Sequence, residues 1–171
     1  MNQTISMYDA SVPVFKQLLT ALNDILNKTQ KHIASQAITP DSLLQASLFP
    51  DMFNFTRQVQ IATDFAKGVT CRLAGLEVPA YEDNEVSFDE LQARVEKTLQ
   101  FLGNIKPEEI NGSEDIEIIT RPGTPKERKF NGLTYLLHYG LPQFFFHVTT
   151  AYDILRSQGI EIGKKDYMGT Y

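Results

Sequence analysis

Hydrophobic residues recur at three- and four-residue steps through most of this chain, the spacing that lays one apolar stripe along an α-helix. In the first such stretch Phe15, Leu18, Leu22 and Ile25 repeat, with Leu19 and Leu26 beside them, and predict a helix over residues 11–35. Pro13 falls in its first turn, where a missing N–H costs little. Carried further, the same line reaches Thr29 and His32, so the core-facing side turns polar at its far end. Thr39, Pro40 and Asp41 supply a cap, a proline suited to a first turn and an acidic start. They predict a short helix over residues 40–47.

Pro50 and Asp51 read as the opening of a second long helix that ends near Gly75. Its stripe is Met52, Phe55, Val59, Ala62, Ala66, Val69 and Leu73, and the small residues in the middle admit a close neighbour. The third long helix has the clearest start. Ser87 and Glu90 form a capping box, and Val86 with Leu91 fits the accompanying hydrophobic staple. Its stripe runs through Phe88, Leu91, Val95, Thr98, Leu99 and Leu102 to a stop at Gly103.

The helical period then breaks. Residues 114–120 and 128–130, on either side of a turn-rich stretch, predict a small hairpin. Without it, residues 105–130 would be an unusually long bare connection for a compact domain. Asn131 and Gly132 cap the last helix, which ends before Gly159. Apolar residues cover most of its circumference, so it is expected to be buried on more than one side, by the short segments or by a second copy of the chain. Pro142 removes the bond to the His138 carbonyl and predicts a kink there. Together these elements predict one all-α domain over residues 1–171: an up-and-down four-helix bundle with a short extra helix and a small hairpin before the last helix.

Composition narrows the function. The net charge is -5, which disfavours nucleic acid and anionic membrane surfaces as partners. Residues 133–155 are the most apolar stretch, but His138, Gly140, Pro142, Gln143 and His147 interrupt it, so it reads as a buried helix rather than a membrane span. Cys71 is the single cysteine and can form neither an intrachain disulfide nor a thiolate cage. No secretory leader is legible, and a cytoplasmic protein is expected.

No phosphate-binding glycine loop, nucleophile elbow or HExxH motif is present. The chemistry that remains is polar residues on greasy faces. Gln143, His147 and Thr150 form a polar line on the last helix, and burying them unpaired would cost roughly 1–3 kcal/mol each. His147 therefore reads either as a metal ligand or general base, or as a core histidine held by a hydrogen bond from another helix. His32 either faces His147 or lies at the surface near a helix end. Asp64 shares a charged face with Arg57, Gln60 and Lys67 and reads as solvated, or as a carboxylate ligand if that face turns inward. Asp83, Glu85 and Asp89 read as solvated loop acids and a helix start. Cys71 reads as packing.

Several runs carry a resemblance. They are Met7-Tyr8-Asp9 through Pro13-Val14-Phe15, Pro50-Asp51-Met52-Phe53, and Gln58-Val59-Gln60-Ile61-Ala62-Thr63-Asp64. Arg72 to Glu77, Leu141-Pro142-Gln143 through His147 to Tyr152, and Gly159 to Lys164 continue the set. Over nearly its whole length the chain resembles an uncharacterised bacterial family grouped with the DinB and YfiT-like helical bundles. The resemblance implies a four-helix bundle, often dimeric, of a group described as metalloenzymes. Typical members bind a divalent metal through one histidine on the second helix and an HxxxH pair on the fourth, and some relatives act on low-molecular-weight thiols. This chain departs from that pattern. Its second helix has no histidine, and His147 has Gln143 four residues before it and Ala151 four after. Only His147 matches a ligand position, with Asp64, Gln58 or His32 as the substitutes at hand for zinc or nickel.

Three readings follow. The first is a homodimeric bundle of unknown function with a small-molecule pocket lined by His147, Gln143, Phe144, Thr150 and Tyr152. The second is a metal-dependent transferase acting on a low-molecular-weight thiol or small electrophile, its metal held by His147, His32 and Asp64. The third is a dimeric protein-interaction module that docks partners on the aromatic last helix.

Overall fold

A computed structural model of the chain describes residues 4–36 and 38–171. The first apolar stripe becomes the buried face of α1 (Val12–Gln36), with Phe15, Leu18, Leu19, Leu22, Ile25 and Leu26 all in the core. Its polar end divides. Thr29 is buried and satisfied, its hydroxyl donating to the Ile25 carbonyl at 2.8 Å, whereas His32 is half-buried. The short helix α2 (Pro40–Leu44) stops earlier than the sequence suggests.

α3 (Phe55–Leu73) begins later than Pro50 and Asp51 imply. Proline and aspartate suit a turn as well as a first helical turn, and here residues 50–52 take the turn. The cap is Asn54, whose side-chain oxygen accepts the Arg57 N–H at 3.0 Å. α4 (Phe88–Gly103) starts where the capping box places it, with the Glu90 N–H donating to the Ser87 hydroxyl at 3.2 Å. The Glu90 carboxylate, however, accepts from the N–H of Val86 at 2.6 Å. Val86 is 77% exposed, so the hydrophobic staple does not form.

α5 (Pro107–Ile110), unannounced by the apolar period, inserts Ile110 into the core. The predicted hairpin follows as β1 (Glu117–Thr120) and β2 (Arg128–Asn131), antiparallel, with Ile118 opposite Phe130. The last long helix is composite: α6 (Gly132–Thr134), one wide π turn at Tyr135–Gly140, and α7 (Leu141–Ser157). The Leu141 N–H donates to the Leu136 carbonyl, five residues back. This wide turn sits directly before Pro142, and the chain passes through the proline in helical conformation. Gly140 is required there, because a Cβ would come within 2.7 Å of the Val69 side chain. A terminal helix, α8 (Lys164–Met168), packs on α1, with Lys28 paired to Asp166.

Around the bundle, α1 and α3 each pack against both α4 and α7, and meet each other less. The long helices are therefore not stacked in simple chain order. The connections from α1 to α3 and from α4 to the last helix both carry structure of their own. The core is contiguous from Met7 to Ile162. Among the described residues, no helix is long and apolar enough to cross a membrane.

Candidate functional site

The polar line of the last helix meets α3 at one point. His147 and Gln58 are both buried, and His147 Nδ1 lies 2.7 Å from Gln58 Oε1. Gln58 Nε2 donates to the Phe53 carbonyl at 3.1 Å, which turns its oxygen toward the imidazole. Nδ1 therefore carries the proton and donates, leaving Nε2 with the lone pair. The ring stacks on Phe65 at 5.9 Å and takes the edge of Phe146 at 5.3 Å. Burial, reinforced by the charge of Arg57, lowers the His147 pKa to about 4, so the ring is neutral at pH 7.

The other predicted site residues go elsewhere. Thr150 donates to the Phe146 carbonyl of its own helix at 2.7 Å. Phe144 is fully buried against Phe15, ring edge to face at 4.9 Å. Tyr152 packs on Tyr167 of α8, and Gln143 is half-buried one turn before His147.

The face bearing Asp64 is partly covered by chain, although the Asp64 side chain stays 37% exposed. The segment 76–86 lies across α3 and α4, and Arg94, its side chain 2% exposed, is the pin. Arg94 donates to Thr63 Oγ1 at 2.8 Å, to the Glu82 carbonyl at 3.0 Å and to Glu85 Oε1 at 2.9 Å. It also reaches Asp64 at 2.9 Å and Asp83 at 3.0 Å. Lys67 holds the same Asp64 oxygen at 3.1 Å and, with Lys97, flanks the Tyr81 ring. Gln60 and Lys67 are buried, and Asp83 and Glu85 are ion-paired rather than freely solvated.

A second group converges beside His147, and the sequence did not single it out. Phe65, which stacks on the imidazole, also lines a cleft of about 190 Å3 with Asp64, Arg72, Thr120, Arg121, Tyr135 and Tyr139. Three pieces of chain build it: α3, the hairpin and the π turn. Arg72 Nη1 donates to the Gly68 carbonyl at 3.0 Å and to the Tyr135 hydroxyl at 3.2 Å. Burial pushes the Tyr135 phenol above its ordinary pKa against the opposing pull of Arg72, so it stays protonated. Tyr135 stacks on Tyr139 at 5.8 Å, and the Arg128 guanidinium lies 6.0 Å from the Tyr139 ring centre. Arg121 enters from the hairpin turn with φ of 51°, in the left-handed region a side chain rarely takes.

Residues 7–168 match a family described as a domain of unknown function, DUF1993. The chain belongs to that DUF1993 family. A crystal structure of a DinB family member from Shewanella denitrificans is similar to it at 35% identity, with a TM-score of 0.90, over 96% of this chain and 92% of that one. No curated protein matches it.

The DUF1993 chain is thus a DinB-like bundle, and its donor set can be set against the metal that such bundles imply. His147 offers one nitrogen, Nε2, and its neighbour on α3 is an amide already bonded at both ends. Asp64 is held by two cations, and Phe144, one turn from His147, packs on Phe15 near the start of α1, whereas His32 stands near the end of that helix. Among the described residues, no three of His, Cys, Asp and Glu are grouped to hold an ion. Three protein ligands are the usual set for a catalytic zinc. The residues present do not fit that metal.

Proposed function

We propose that this DUF1993 protein is a small-molecule-binding bundle whose ligand enters the cleft between α3, the hairpin and the π turn. One observation carries the reading: Arg72, Arg121, Tyr135 and Tyr139, from three separate elements, converge on a single concavity beside His147. A concave site with an aromatic wall and a few convergent polar groups is the usual form of a ligand pocket. In this reading the ligand lies one layer outward from His147 rather than against it. His147 supports it through Phe65, as the second residue of a packed aromatic pair.

The metal-dependent transferase is the weaker reading, because Gln58 and Asp64 are spent on hydrogen bonds and ion pairs and His147 offers a single free nitrogen. Soaking crystals with zinc and with small fragments tests the choice. Fragment density in the cleft supports the proposal, and an ion on His147 Nε2 overturns it.

A second observation favours self-association. Leu133, Leu137, Leu141 and Phe145 follow one another at four-residue intervals along the last helix, and all but the half-buried Leu141 are exposed. A charge-free apolar stripe of this kind suits an isologous contact with a second copy of the chain. A cytoplasmic setting accords with the buried, unbridged Cys71.

A further inference from the structure

The cleft is lined by two arginines, Arg72 and Arg121, and one acid, Asp64. The ion pairs of the described residues engage Lys28, Arg57, Lys67 and Arg94. Arg72, Arg121 and Arg128 have no carboxylate partner among the described residues, although all three stand at or beside this one concavity. Asp64, the acid on its rim, is already shared between Arg94 and Lys67. Among the described residues Arg72 spends only Nη1 on protein, and its Nε and Nη2 donors have no protein partner there. The Tyr135 hydroxyl accepts from Arg72 and keeps its own proton to donate.

Resting on the proposed cleft, we infer that its ligand is a small carboxylate with a planar apolar body. Arg121 and Arg72 hold the carboxylate, and Phe65 and Tyr139 contact the body. Guanidinium groups match the two oxygens of a carboxylate in geometry as well as charge. The volume of about 190 Å3 is enough for a single ring. The backbone of Arg121 adds a separate argument. It precedes Pro122, it lies at positive φ, and its carbonyl is pinned by the Thr124 hydroxyl at 2.9 Å. Glycine would adopt that conformation without strain, yet the position carries an arginine, at the mouth of a cleft. Strain retained at such a place points to use of the side chain.

The test is binding of benzoate, benzamide and inorganic phosphate to the full chain, followed by calorimetry and thermal shift, with Arg121→Gly and Arg121→Gln alongside. Benzoate is expected to bind saturably and raise the melting temperature, with benzamide and phosphate weaker by ~10-fold or more, the size of a lost hydrogen bond to a charged group. Arg121→Gly is expected to melt no lower than the parent, its strained backbone being relieved, yet to lose benzoate binding by a similar factor. Arg121→Gln keeps the backbone demand and loses the charge, and should lose binding too. Equal binding of benzoate and benzamide would overturn the carboxylate assignment while leaving the cleft a ligand site. Preference for phosphate, or unchanged benzoate binding in both Arg121 variants, would overturn it as well. Absence of benzoate binding together with neutral fragments seated in the cleft would sink this inference alone. An empty cleft in every soak would sink the proposed function with it.

Discussion

An imidazole that gives its Nδ1 proton to a buried amide is stable only while it stays neutral. Protonating His147 would place a charge between two phenylalanine rings and near Arg57, which is why burial and that charge lower its pKa to about 4. The unfolded chain binds the same proton with a pKa of about 6.5. Between those values the unfolded state holds more protons, so stability falls as pH drops through the window and levels off below about 4. The shift corresponds to at most ~3 kcal/mol. Urea unfolding between pH 7 and 4 should show His147→Gln losing clearly less stability than the parent over this range. Parallel losses would mean that His147 is not buried neutral. The core-histidine reading was legible in the sequence because His147 stands in an apolar run. Its hydrogen-bond partner was not, since Gln58 lies 89 residues away and only the resemblance set it, with Asp64 and His32, beside His147 as a substitute ligand.

At the scale of elements, the segment 76–86 has little apolar anchorage of its own and depends on Arg94. Removing the guanidinium would leave Asp64, Asp83 and Glu85 facing one another without their shared cation. Breaking such a buried arrangement from one side costs ~3–5 kcal/mol, and the partial exposure of Asp64 and Asp83 places this case at or below the lower end. Arg94→Gln is therefore expected to destabilise the bundle by ~2–3 kcal/mol and to raise amide exchange and proteolysis selectively in residues 76–86. Uniform loosening would contradict the role assigned to Arg94. The sequence hid this device because a charge pattern on a helix reads as a solvated face until something is known to cover it. The same ambiguity shifted the start of α3: Pro50 and Asp51 advertise a helix as readily as a turn, and only the Asn54 cap decides. The apolar stripes of α1, α3 and α4 were legible throughout, because burying one face of a helix leaves a period that survives local detail. Pro142 was legible as a disturbance of the helix, and the disturbance takes the form of the π turn directly before it, where Gly140 leaves room for Val69.

On the scale of the whole molecule, the bundle follows from its apolar stripes, whereas the cleft follows from where the hairpin lands. Arg121, Arg72 and Tyr139 are far apart in the chain, and no spacing rule joins them. The exposed stripe of Leu133, Leu137 and Phe145 was foreshadowed by a helix apolar on too many sides. If a second copy covers it, sedimentation at micromolar concentration should give a dimer, and Leu137→Glu with Phe145→Glu should give a folded monomer. A parent chain that sediments as a monomer would remove that contact from the account. With Gln58 bonded to His147, and Gln143 and Ala151 one turn away on α7, the α3–α7 seam closes on itself, and the proposal puts ligand binding in the neighbouring cleft.

The most direct measurement is a crystal soak of the tag-free protein with zinc and a mixture of small neutral and anionic fragments. The account predicts a fragment between Arg72, Arg121 and Tyr139, with His147 still bonded to Gln58 and no ion on Nε2. A zinc ion on His147, completed by Gln143 or a displaced Asp64, would contradict it and restore the metal site as the functional centre.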